Sequence, residues 1–89
     1  MKYKVGDRFR APRKDELEVL GLTLIDGWVH VIKENSKLID SINLGQFFEI
    51  YAIYDNMCRP YECLFKNKIR YFSDEDLSKY FTRVKGKNK

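Results

Sequence analysis

Apolar and polar residues alternate along much of this chain with the two-residue period of half-buried β-strands, not the 3.6-residue period of helices. The clearest stretch is Leu22 to Ile32 (LTLIDGWVHVI), where Asp26-Gly27 is flanked on both sides by β-branched and aromatic residues. Asp-Gly in that setting predicts a tight hairpin, because Gly27 tolerates the positive φ the turn demands. The outgoing strand is expected from Trp28 to about Glu34, with Val29 and Val31 on one face and Trp28, His30 and Ile32 on the other. Gln46 to Tyr54 (QFFEIYAIY) is a second long alternating run. Asp55 to Pro60 turns the chain, Tyr61 to Lys66 returns antiparallel, and Asn67-Lys68 turns it again into Ile69 to Phe72. These three runs predict a meander. Asn35 to Gly45 fits either a short helical turn through Leu38, Ile39 and Ile42 or a strand through Leu38, Asp40 and Ile42, and the pattern does not choose.

Ser73-Asp74-Glu75-Asp76-Leu77 carries a helix start. Ser73 as N-cap with an acid at the third helical position makes a capping box, and three acids in the first turn suit the helix dipole. A short helix is expected from about Asp74 to Tyr80, with Leu77, Tyr80 and Phe81 facing the core. A last short strand follows at Phe81 to Val84.

With 89 residues, 44% hydrophobic and 15% aromatic, the chain predicts one domain at 1–84, followed by a flexible basic tail at 85–89. That composition is too rich in rings for intrinsic disorder, and no apolar run approaches the roughly 20 residues of a membrane span. The start does not read as a leader, so a cytoplasmic location is expected. Cys58 and Cys63, with four residues between them, no companion pair and a single His (His30), make a poor zinc set, so neither metal nor cofactor is expected. Cys63 is expected to pack as a small hydrophobe, and Cys58 to sit exposed in a turn.

Charge is segregated. Residues 1–14 sum to +5, residues 15–62 to −6 and residues 63–89 to +5, within a net +4. If the chain ends meet in space, the molecule has a basic and an acidic side. Arg8, Arg10, Lys66, Lys68 and Arg70 alternate with Phe9, Phe65, Ile69 and Tyr71. In strands this sends the cations outward, as in nucleic-acid-binding barrels. Trp28, Phe47, Tyr51, Tyr54 and Tyr61 add more aromatic surface than so small a core can hold, and exposed rings are hot-spot material for a protein partner. No Gly-rich phosphate loop, paired-His motif or activated nucleophile is present, which argues against an enzyme.

Val5-Gly6-Asp7-Arg8-Phe9-Arg10, a meander of short strands, and Tyr71-Phe72-Ser73-Asp74-Glu75-Asp76-Leu77 before a final strand resemble, in that order, a small SH3-like barrel. The Val-Gly-Asp opening and the aromatic-Ser-Asp-Glu-Asp-Leu close are similar to those of short phage and prophage proteins of low-GC Gram-positive bacteria. The expectation is a mainly β fold, an SH3-like barrel of about five to seven short antiparallel strands with one short helix near the C-terminus. The resemblance also implies that first and last strands are neighbours. Function is then expected to be that of a phage or mobile-element binding module. Its basic side (Arg8, Arg10, Lys66, Lys68, Arg70) would engage nucleic acid or host machinery that handles it. The alternative is a protein-protein inhibitor or adaptor, an anti-defence or host-takeover factor, using Trp28, Phe47, Tyr51, Tyr54 and Tyr61 or the acidic middle. A homo-oligomer formed through an open strand edge is a third possibility.

Overall fold

Because most apolar residues recur every second position, the chain folds into strands that each bury one face. The computed structural model, which describes residues 2–85, has eight strands in two antiparallel sheets and one α-helix near the C-terminus. Gly86 to Lys89, most of the expected tail, lie outside the described residues. Strands β1 (Arg8–Arg10), β5 (Phe47–Ile53), β6 (Tyr61–Leu64), β7 (Ile69–Phe72) and β8 (Thr82–Val84) form one sheet in the order β7-β6-β5-β1-β8. Strands β2 (Leu22–Ile25), β3 (Trp28–Val31) and β4 (Ser36–Asp40) form the other, in chain order. The sheets do not close into a barrel. Eight strands exceed the five to seven expected because the ambiguous stretch supplies Ser36–Asp40 as a third strand beside the expected hairpin.

The hairpin at Asp26-Gly27 forms with both residues at positive φ, 49° and 81°, and Ile25 opposite Trp28. The outgoing strand stops at Val31, three residues short of Glu34. Ile32 donates its N–H to the Gly21 carbonyl and accepts from Asn35, so a turn replaces the last stretch. The ambiguous segment takes both forms in succession: Ser36–Asp40 is a strand and Ser41–Asn43 a 3₁₀ turn. A second 3₁₀ turn, Lys14–Glu16, was not foreshadowed by the pattern. The meander and α1 (Asp74–Tyr80) fall where the alternation and the capping box put them, with Ser73 and Asp76 satisfying each other's backbone N–H at 3.1 Å.

Buried residues of both sheets and of α1 belong to one cluster. Its centre is a set of rings, with Phe48 stacked on Phe65 at 4.4 Å and Phe81 against Phe72 at 4.8 Å and Phe48 at 5.1 Å. Each such ring contributes about 1.5–3 kcal/mol through burial, and favourable ring contacts add to this. Leu77, Tyr80 and Phe81 face this core as the helix reading requires. No helix among the described residues is long and apolar enough to cross a membrane.

Candidate functional site

The terminal strands do meet. β1 lies between β5 and β8, with Arg8 opposite both Glu49 and Val84. The five candidate cations nevertheless separate. Arg10 is 8% exposed: the 3₁₀ turn at Lys14–Glu16 brings Glu16 over it, and Nη1 and Nη2 donate to the two carboxylate oxygens at 3.0 and 3.1 Å. Nη1 also donates to the Ala11 carbonyl and Nη2 to the Thr82 hydroxyl. Hydrogen bonding to Arg10, then to the Arg13 N–H, holds the Glu16 carboxyl down to about 2. Arg10 therefore does not join an outward basic face. Strand alternation orients it correctly, but an acid folded back from a neighbouring turn covers it.

Arg8 sits in register with Glu49, Leu64 and Ile69, whereas Arg70 sits in register with the fully buried Cys63 and Ile50. These rows occupy opposite faces of the sheet. On its face Arg70 donates through Nη2 to Asp40 Oδ2 of β4 at 2.6 Å, and Lys68 Nζ donates to the same oxygen. Arg8 and Lys66 share a shallow groove of about 380 Å³ with Phe47, Glu49 and Leu64. The single basic side expected from the sequence is thus split: Arg8 and Lys66 lie on one face, while Arg10, Lys68 and Arg70 are committed to acids.

A second cleft, about 490 Å³, runs between the edge strand β7 and the smaller sheet and is lined by Trp28, Lys37, Arg59, Ile69, Arg70 and Tyr71. Lys37 Nζ stands 4.8 Å from the Trp28 ring centroid and the Arg70 guanidinium 5.9 Å. Cations over a ring bind it electrostatically.

The rings divide just as sharply. Tyr61 is wholly buried: its Oη accepts from the Lys2 and Tyr3 N–H groups at 3.2 Å and donates to Asp74, tying the start of the chain to the helix start. It cannot offer surface to a partner. Phe47, Tyr51 and Tyr54, by contrast, are between 41% and 58% exposed, and Leu64, Ile69 and Tyr71 on the adjoining strands are similarly open. The register slips between Ile50 and Ala52, making Tyr51 the extra residue of a bulge. Cross-strand pairing of Glu49 with Leu64 and Leu64 with Ile69 gathers these side chains on the outer face of β5, β6 and β7.

Glu62 lies within that face. It alternates with the core residues Tyr61 and Cys63, pairs with Ala52 and Tyr71, and is only 7% exposed. Tyr54 Oη donates to Glu62 Oε1 at 2.8 Å and Tyr71 Oη to the same oxygen at 3.3 Å. The Tyr54 phenol is raised above its usual range chiefly by this bond, and the Tyr71 phenol by desolvation and then by the Glu62 charge. Beneath, burial and then Glu62 push the Cys63 thiol up to about 12, so it stays protonated, while Cys58 is exposed. Alternation alone would have placed Glu62 outward. Its two phenol partners depend on the bulge and the β6–β7 turn, which no residue pattern announces. Scans against protein-family models, curated proteins and solved structures return no match for this chain.

Proposed function

We propose that this protein is a non-enzymatic binding module that docks a protein partner on the outer face of β5, β6 and β7. One observation carries the reading: five large apolar or aromatic side chains on three adjacent strands (Phe47, Tyr51, Leu64, Ile69, Tyr71), and Tyr54 immediately after β5, stand exposed. Scattered exposed hydrophobes need no explanation, but a contiguous set on a rigid sheet, rich in tyrosine, is the composition of an interface centre. The first strand lying between the meander and the last strand, with a helix just before that last strand, supports an SH3-like strand order for the scaffold, carried on two open sheets rather than a closed barrel. The resemblance to phage proteins directs the search to a partner in the host cytoplasm, with an inhibitor or adaptor role. The test is affinity capture from nuclease-treated host lysate with the native chain and with Tyr51→Ser/Ile69→Ser. A partner retained by the native chain and lost by the variant supports docking on this face; equal capture by both rejects it.

A second reading rests on the Trp28 cleft. A ring flanked by Lys37 and Arg59, with Tyr71 also lining the cleft, offers both a stacking platform and phosphate anchors for single-stranded nucleic acid. Binding of that kind weakens steeply as salt rises and is lost in Trp28→Ala. A salt-independent or absent gel shift rejects it.

A further inference from the structure

We infer that Glu62, with the phenols of Tyr54 and Tyr71, is the seat for an arginine side chain presented by the protein partner. The inference rests on the proposed docking face and names the chemistry at its centre. Glu62 as a residue is 7% exposed, but its Oε2 is not among the buried unpaired polar atoms, so the charge opens onto the face at that oxygen and gains from a counter-charge placed there. Elsewhere in this molecule acids that face the protein have cations: the buried Asp40 has Lys68 and Arg70, and the half-buried Glu16 has Arg10. Among the described residues no lysine or arginine lies within ion-pair distance of Glu62. Arg59, three residues earlier in the chain, lines the Trp28 cleft instead. Both phenols donate to Oε1. Oε2 receives neither and is left for a donor from outside.

The surroundings favour arginine over a compact ammonium. A guanidinium is planar, more weakly hydrated, and stacks on aromatic faces while donating to a carboxylate from its edge. Tyr51, Tyr54 and Tyr71 supply ring surface beside the carboxylate, and Leu64 and Ile69 flank it with apolar surface that excludes water when covered. An interface core of this kind, with one desolvated charge pair inside an aromatic rim, concentrates affinity in few groups. The groove at Arg8 and Lys66 lies where Glu49 and Leu64 border the same face, so the partner meets a carboxylate at one end and two cations at the other.

The experiment uses the full isotope-labelled chain and two probe peptides, acetyl-Leu-Arg-Leu-amide and the same peptide with neutral citrulline in place of arginine, titrated to millimolar concentration and followed by NMR. The arginine peptide is expected to shift the Glu62 side-chain carboxyl and the Tyr54 and Tyr71 ring resonances. Affinity is expected to fall roughly tenfold or more for citrulline, and likewise for Glu62→Gln with the arginine peptide. Equal shifts with both peptides would leave the docking face intact and remove the arginine seat. No response at Glu62 also removes it. The citrulline comparison needs no variant, so it decides the matter even if Glu62→Gln fails to fold. The docking face fails separately, when capture of a partner is unaffected by Tyr51→Ser/Ile69→Ser.

Discussion

Asp40 and Glu62 are equally buried, each 7% exposed, yet they are held in opposite ways. Asp40, at the end of β4, accepts from Arg70 of β7 in the other sheet and from Lys68 in the turn just before β7. Burial pushes its carboxyl up, but the two cations together outweigh that and leave it below the usual carboxylate range. Glu62, in the middle of β6, has only neutral phenols. A buried charge completed within the chain fastens one sheet to the other. A charge left with neutral donors on one oxygen, and with the other oxygen open to the surface, contributes little to the fold and is available to an outside cation.

The largest expected effect follows from breaking the completed site. Asp40→Asn leaves Lys68 and Arg70 facing each other without a counter-ion. Breaking a fully buried pair costs about 3–5 kcal/mol; here the cation side chains are 38% and 31% exposed, so about 2–3 kcal/mol is expected. A urea unfolding midpoint that falls without a change in slope is the readout. A loss below about 0.5 kcal/mol, the level of an ordinary surface change, would show that Asp40 is not a fastening. Arg70→Met is milder, about 1 kcal/mol, because Lys68 still neutralises Asp40 and the methionine keeps apolar contact with Trp28.

Acid sharpens the same contrast. Glu16 and Asp40 are both depressed in the folded state, so their contribution to stability is present above the unfolded carboxylate values and is lost as pH falls through the folded ones. For Glu16 the window runs from its ordinary 4.5 down to about 2. Stability measured between those limits should decline with falling pH in the native chain and decline less in Glu16→Gln. An unchanged slope would mean that the Arg10–Glu16 pair persists equally in the unfolded chain.

These acids also explain what could be read from the sequence. Local signals were legible: the Asp26-Gly27 turn, the meander and the Ser73–Asp76 capping box each depend on residues within a few positions of one another, and each formed. The placement of apolar side chains followed, since Phe9, Cys63 and Leu77 bury where alternation or helical spacing directs them. What alternation could not supply was the partner of a charge. Arg10 and Arg8 share a strand and a face, but only Arg10 has Glu16 folded over it, through a 3₁₀ turn that Pro12 and Arg13 lead into. Lys68 and Arg70 find Asp40 at separations of 28 and 30 residues, which requires knowing how the two sheets pack. Tyr61 lies in the core rather than on the surface for a similar reason. Its hydroxyl is satisfied inside by Lys2, Tyr3 and Asp74, and a buried phenol with three partners has no need of water.

The smallest effect on stability is expected at the uncompleted site, and it is the most discriminating. Glu62→Gln keeps an oxygen that can accept from Tyr54 and Tyr71 but removes the charge, so the unfolding free energy should change by about 1 kcal/mol or less, well under the loss in Asp40→Asn. The tyrosines themselves report the change. Ultraviolet titration should show the Tyr54 phenol dropping back toward its ordinary range, because the bond to Glu62 is the main cause of its elevation. Tyr71 should move less, since desolvation is its first cause and survives the substitution. Equal movement of the two phenols would mean that Glu62 acts on them through general charge rather than through the short bond to Tyr54. A stability loss matching that of Asp40→Asn would place Glu62 among the fold's own fastenings and leave no free carboxylate on the face for a partner to use.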